Sequence, residues 1–328
     1  MSGSDSPRIL AVRLGAMGDV IHALPAVASL KHSFPGSRVS WVIEPRWAPL
    51  VARNPFVDRV VLLRRDSAGG LLESWRELRS EPYDFAVDFQ GLIKSAVTAS
   101  AAHAGRIFGF HRSELRERAA ALFYSDTALS RSAHVVDRYL DLAAAAGAGS
   151  VLRAFPIPSG SPEGDLPAGD FVLASPLAGW VSKQWPLEHY GVLAARLSRE
   201  LGIPLVVNLP AAGTLEGFGE GIWLHRSGLP GLIDATRRAA AVVGVDSGPL
   251  HLAAALGKPG VAIFGPTDPA RNGPYGDSLE MLRSPGAVTS YKRENAIAGC
   301  MRSISPEEVF EALRCALGER RPTADCPA

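Results

Sequence analysis

The sequence predicts an α/β protein of two doubly wound domains, each a parallel sheet with helices on both faces. Three observations predict this. Short apolar runs alternate with longer stretches of helical periodicity, the pattern of strand–helix–strand units around a parallel sheet. The alternation stops at a Pro/Gly/Ser-rich stretch, Phe155 to Gly169, and then restarts. At 328 residues the chain is long enough for two domains of ordinary size. The expected domains are residues 1–155 and 156–328, joined by that stretch as a linker.

The elements follow in order. Arg8–Leu14 is an apolar run that reads as a strand, Gly15-Ala-Met-Gly18 turns the chain, and Asp19 to Leu30 has helical spacing. Further strands are expected at Val39–Ile43, Val60–Leu63, Phe85–Val87 and Arg106–Phe110, and residues 133–147 form a helix that closes the first half. After the linker, Phe171–Ser175 is a strand, a polar loop carries Lys183, Leu187–Leu201 is a helix and Leu205–Asn208 a strand. Ala241–Val245 and Gly260–Phe264 are strands flanking a helix from Gly248 to Leu256. Ser305-Pro-Glu-Glu308 is a capping box with proline at the first helical position, which opens a helix over 305–317. The last ten residues are polar and read as frayed.

Composition excludes several classes. With 34 Lys+Arg against 33 Asp+Glu and no basic tail, the chain lacks the electrostatic footprint of a nucleic-acid binder. No run approaches the roughly 18 apolar residues of a membrane span, and Met1 to Pro7 shows no signal-peptide pattern. Cys300, Cys315 and Cys326 have neither zinc-site spacing nor an even count, which fits a reducing cytoplasm. The net charge of +1 hides a split: residues 1–155 carry 19 basic and 15 acidic side chains, residues 156–328 carry 15 and 18.

Ligands of such sheets bind outside the carboxyl ends of the strands, so the loops that follow strands are the candidate sites. Gly15-Ala-Met-Gly-Asp19 lacks the third glycine of a dinucleotide fingerprint and sets a carboxylate where a pyrophosphate needs N–H groups. That speaks against a nicotinamide or flavin domain. Asp19, near a helix N-terminus that favours an anion, is a candidate general base for a substrate hydroxyl; the plain alternative is a helix cap. His22, one turn on, reads as packing. Lys183 stands in a loop just before a helix, placed to meet a phosphate as a point charge or to be solvated; only 5 of the 34 cations are Lys. In Gly244-Val-Asp-Ser-Gly-Pro-Leu-His251, Ser247 is a natural N-cap and the first-turn amides make an anion site. Asp246 suits a structural or ribose-side role, and His251 a place lining the cleft. Phe264 to Gly276 is a rigid, proline-rich loop at a strand end. Arg106, Arg112, Arg116, Arg118, Arg131 and Arg138, with His134, make residues 103–138 locally basic, suited to carboxylates and phosphates or to a solvated face.

Six stretches in order resemble the bacterial lipopolysaccharide heptosyltransferases of glycosyltransferase family 9. They are Met17 to Pro25, Asp88 to Ser95, Lys183 to Pro186, Asp246 to Leu256, Gly265 to Pro269 and Cys300 to Val309, and with their flanks they span about 8–318. The resemblance implies a GT-B fold, two facing Rossmann-like domains with an interdomain cleft and a final helix that returns to the first domain. It implies an acceptor-binding first domain and a donor-binding second, an ADP-heptose donor, a Kdo–lipid A acceptor, inversion at the anomeric carbon, and neither a cofactor nor an obligatory metal. A cytoplasmic enzyme in peripheral contact with the inner membrane follows from the acceptor. By the resemblance Asp19 is the catalytic base. Lys183 and the amides of Ser247, Gly248 and Leu250 hold the diphosphate, and Glu216 meets the ribose. Asp246, His251, Thr267 and Asp268 fall on the donor site, and Gly18, Arg112, Arg116, Arg118, Arg131 and His134 on the acceptor side. Three alternatives stay open. One is a family member with another nucleotide-sugar or a protein acceptor, one a nucleotide-sugar epimerase on the same fold, and one a binding module in which Asp19 only caps.

Overall fold

A computed structural model describes residues 6–213, 217–218 and 221–318. Glu216, Cys326 and the last ten residues lie outside the described residues. The chain forms two compact units that divide at Pro158 and Ser159, three residues past the expected boundary.

The first unit contains β1 (Arg8–Val12), α1 (Met17–Ser33), β2 (Arg38–Ile43), β3 (Arg59–Leu62), α2 (Ala68–Leu78), β4 (Phe85–Asp88), α3 (Ile93–Ala101), β5 (Arg106–Phe110), β6 (Asp126–Ala128) and α4 (Val135–Ala145). The second contains β7 (Val172–Ser175), α5 (Leu187–Leu201), β8 (Leu205–Pro210), β9 (Ile222–Ser227), α6 (Leu229–Arg238), β10 (Ala241–Val245), α7 (Gly248–Ala255), β11 (Gly260–Phe264), α8 (Pro269–Asn272), β12 (Leu279–Arg283), α9 (Gly299–Arg302) and α10 (Pro306–Ala316). Every strand pair is parallel.

The first sheet has the order β3-β2-β1-β4-β5-β6 and the second β12-β11-β10-β7-β8-β9, the same arrangement read from the other edge. Each sheet therefore reverses its winding once, between β1 and β4 and between β7 and β10, and those reversals open the crevices where doubly wound sheets take ligands. The central strands β7, β10 and β11 are buried along their whole length, which is why they appear in the sequence as unbroken apolar runs. The strands that reading missed, β6, β9 and β12, all lie at sheet edges, where exposed polar residues such as Thr127, Arg226 and Glu280 break the apolar run.

One expectation changes. The Pro/Gly/Ser-rich stretch is no free tether. The Gly228 N–H donates to Glu163 Oε2 (2.6 Å), the Trp223 indole to the Asp165 carbonyl (2.9 Å) and the Ser161 N–H to the Pro230 carbonyl (3.2 Å). Gly164 has φ +64 and passes so close to β9 that a Cβ would lie 2.8 Å from the Arg226 carbonyl. The last helix, α10, buries its apolar stripe (Val309, Phe310 and Leu313) in the second unit's own core beside Val172, Val243 and Ile263. Arg196 of α5 lies 4.1 Å over the Phe310 ring and pairs with Glu311. The apolar face of α10 is used there.

Candidate active site

At the first reversal, β1 ends at Val12, Gly15 turns the chain and Asp19 is the third residue of α1. Gly15 is required here by close approach, since a Cβ would lie 2.6 Å from Trp47 Nε1. The Asp19 side chain is 37% exposed, and its Oδ2 accepts from Arg13 Nη2 (2.5 Å) and from the Ala16 N–H (3.3 Å). Oδ1 has no hydrogen bond among the described residues. Asp19 does cap its helix, but with one oxygen only. Gly18, beside it in the first turn, is half-buried.

The loop after β4 is tied to the loop after β1, because Gln90 Oε1 accepts from the Leu14 N–H (2.9 Å). Asp88, wholly buried, organises that loop. It accepts from the Gln90 N–H (2.9 Å), the Gly91 N–H (3.3 Å), Ser95 Oγ (2.8 Å) and Tyr124 Oη (2.7 Å). Burial pushes the Asp88 carboxyl up in spite of these donors, and burial together with the Asp88 charge pushes the Tyr124 hydroxyl up, so Tyr124 is the donor. Asp88→Ala would take the acceptor from four donors, Gly91 and Ser95 among them buried, and is expected to cost about 3 kcal/mol, read as a fall in melting temperature.

At the second reversal, the loop after β7 carries Lys183 and the end of β10 carries Asp246. Lys183 Nζ lies 2.9 Å from Asp246 Oδ2, and Thr267 Oγ1 donates to the same oxygen at 2.8 Å. His251 Nε2 stands 3.7 Å from Oδ1. Burial alone would favour the protonated acid, but His251 and Lys183 outweigh it and hold the Asp246 carboxyl well below the ordinary carboxylate range. An ammonium has three N–H donors, and Asp246 takes one from Lys183. The others make no hydrogen bond among the described residues, and the Trp180 ring lies 4.8 Å from Nζ on the flank.

Next to this pair, Ser247 occupies the N-cap of α7, and its Oγ is buried without a partner among the described residues. Pro249 has no N–H, and the Leu250 N–H is taken by the Ser247 carbonyl (3.1 Å). The amide expected from Leu250 is thus spent inside the helix, which leaves those of Ser247 and Gly248. Asp268 caps α8 by accepting from the Ala270 N–H (3.0 Å), a structural use of that carboxylate. The Cys300–Val309 stretch buttresses both loops. Trp185 Nε1 donates to the Ile304 carbonyl (2.9 Å), and a Cβ on Gly265 would lie 2.5 Å from Met301 Sδ.

The basic residues of 103–138 separate into two sets. Arg106 pairs with Asp126 and Arg138 with Glu114, and His134 caps α4 by accepting from the Val136 N–H (3.1 Å). Arg112, Arg116, Arg118 and Arg131 are exposed and have no ion pair among the described residues. Sequence reasoning missed a second basic feature at the carboxyl ends of β2 and β3, an open cavity of about 460 Å³ lined by Glu44, Arg46, Arg64, Arg65 and Asp66. Glu44 there pairs with Arg46 (3.3 Å), with Arg65 and with Lys94 (3.7 Å). The available signal was the Arg64–Arg65 doublet directly after a strand. Among the described residues, no group of three or more His, Cys, Asp or Glu is placed to hold a metal ion.

Two sheets of this order, one with a half-free carboxylate at its reversal and the other with a cation beside a helix N-terminus, fit a GT-B glycosyltransferase. A family model for glycosyltransferase family 9 (heptosyltransferase) matches residues 71–300, and the chain belongs to that family. It is 32% identical to lipopolysaccharide heptosyltransferase 1 of Pseudomonas aeruginosa, over 84% of each chain. It is 31% identical to the Escherichia coli K12 protein of the same description, over 93% of this chain and 99% of that one. Among solved structures, E. coli heptosyltransferase WaaC with ADP superposes with a TM-score of 0.77 at 26% identity, covering 94% of this chain and 99% of that one. E. coli ADP-heptose LPS heptosyltransferase II shares the fold, with a TM-score of 0.75 at 22% identity over 95% and 99%.

Proposed function

We propose that the chain transfers heptose from ADP-heptose to the Kdo inner core of lipopolysaccharide with inversion. The observation that carries this is the division of chemistry between the two reversals: Asp19 Oδ1 is unengaged at the first, and Lys183 with the α7 N-terminus stands at the second. Asp19 takes the proton of an acceptor hydroxyl as that oxygen attacks the anomeric carbon. Lys183, Ser247 and the Gly248 amide, aimed at the charge that develops on the departing diphosphate, stabilise it. Asp246 and Thr267 orient Lys183, and Glu216 remains the proposed ribose contact.

The acceptor is anionic, and the cavity with Arg46, Arg64 and Arg65 suits its carboxylates and phosphates at the carboxyl edge of the first sheet. Peripheral contact with an anionic membrane is the role of the exposed Arg112, Arg116, Arg118 and Arg131, with the exposed Leu122 and Leu129. No helix among the described residues is long and apolar enough to cross a membrane. Co-sedimentation with anionic phospholipid vesicles is expected to fall when these four arginines become Gln, and unchanged binding would remove this role.

Transfer of radiolabelled heptose from ADP-heptose to Kdo–lipid A tests the whole reading. ADP is expected to bind in calorimetry in preference to UDP, GDP and NAD. Hydrolysis of ADP-heptose without transfer to Kdo–lipid A would point instead to a different acceptor.

A further inference from the structure

Arg13 follows β1 directly, and its side chain is only 6% exposed, far less than the carboxylate it binds. A guanidinium taken out of water requires well-placed partners. Its usual engagement of a carboxylate is a two-pronged fork that occupies both oxygens. Here the fork is split. Nη2 meets Asp19 Oδ2 at 2.5 Å, while Nη1 turns to the carbonyl of Phe89, at the end of β4, at 3.1 Å. The Tyr139 ring lies 5.8 Å from the guanidinium carbon, and the Trp41 indole fixes the Arg13 backbone by donating to its carbonyl at 3.1 Å. Burial works against the charge, but Asp19, with smaller contributions from Tyr139 and Asp88, outweighs it and keeps Arg13 charged. The arginine is thus fastened to two strands on either side of the sheet's reversal and reaches Asp19 through one oxygen only.

We propose that Arg13 is a positioning residue for the transfer: it pins Asp19 by Oδ2 and so leaves Oδ1 as the oxygen that accepts the proton. This rests on Asp19 being the base. In the step it serves, the acceptor O–H bond breaks and its proton goes to Oδ1. The hydroxyl oxygen bonds the anomeric carbon, and the bond from that carbon to the diphosphate breaks with its electron pair on the diphosphate. Without Arg13, Asp19 keeps only the 3.3 Å contact with the Ala16 N–H and can turn away from the acceptor. Misplacement of a reacting group by about 1 Å costs on the order of 100-fold in rate.

The test is steady-state kinetics with ADP-heptose and Kdo–lipid A on Arg13→Met and Arg13→Lys, with ADP binding measured by calorimetry. Arg13→Met is expected to lower kcat by about 100-fold while the KM for ADP-heptose and the ADP affinity stay unchanged. Arg13→Lys, whose ammonium can still hold Oδ2, is expected to restore kcat to within about tenfold of the parent. Wild-type kcat in Arg13→Met, with transfer still abolished in Asp19→Ala, overturns the role of Arg13 and leaves the base assignment standing. A joint loss of kcat, ADP affinity and melting temperature that Lys does not rescue makes Arg13 a folding residue and overturns the proposal equally. Should Arg13→Met not fold, Arg13→Gln, which keeps a buried donor for the Phe89 carbonyl, is read by the same criteria.

Discussion

Asp19→Ala is expected to abolish heptose transfer and to leave ADP binding nearly intact. Removal of a positioned base lowers rates by about 100- to 10,000-fold, and Asp19 has an oxygen uncommitted to its helix or to Arg13. In the proposed function ADP is held by the second unit, where Lys183, Asp246 and Ser247 stand, so its affinity has no reason to follow. Truncation also strips the buried Arg13 of its only carboxylate within ion-pair distance among the described residues, so Asp19→Asn is the companion variant. It keeps an oxygen for Nη2 and a side chain of equal size but accepts no proton. Calorimetry with ADP on both variants decides the matter, and lost ADP affinity in Asp19→Asn would rule out the base assignment.

Lys183→Ala is expected to have the second largest effect, because it touches both rate and stability. Loss of one preorganised donor to a developing anion costs about 3–4 kcal/mol in the barrier, so kcat should fall by several hundredfold and ADP-heptose should bind more weakly. The same change leaves the Asp246 carboxylate buried with Thr267 and His251 alone. The Asp246 carboxyl is depressed in the fold, so its ionised form contributes stability above the ordinary carboxylate value near pH 4 that is lost as pH falls through the folded one. Without Lys183 the depression shrinks, and acid unfolding should begin at higher pH in the variant than in the parent. Melting curves between about pH 3 and pH 7 read this directly. A variant that turns over like the parent, with acid sensitivity as its sole defect, would reduce Lys183 to a structural partner of Asp246.

Asp19, Lys183 and Ser247 were legible in the sequence for one physical reason. Each follows an apolar run, and a parallel sheet places whatever follows its strands at one edge. The structure adds what a linear pattern cannot contain. That Arg13 is buried and splits its fork depends on Phe89, 76 residues away. That the Leu250 amide is spent depends on a tight first turn in α7, and proline at its second position gave no hint of that. The basic stretch was legible as composition but not as pairing, so Arg106 and Arg138 were grouped with arginines that have no partner among the described residues. Three of the four edge strands, β6, β9 and β12, escaped because exposed polar residues interrupt them, while the central strands carried a continuous apolar signal.

The anchored stretch before β7 bears on how the chain can be dissected. Its composition invites a cut after Gly169, as though everything between Phe155 and β7 were a spacer. Such a cut would remove Glu163 and Asp165 and leave the Gly228 amide and the Trp223 indole without their acceptors along β9. The seam between the halves lies at Ser159, and a domain boundary chosen for separate expression belongs there.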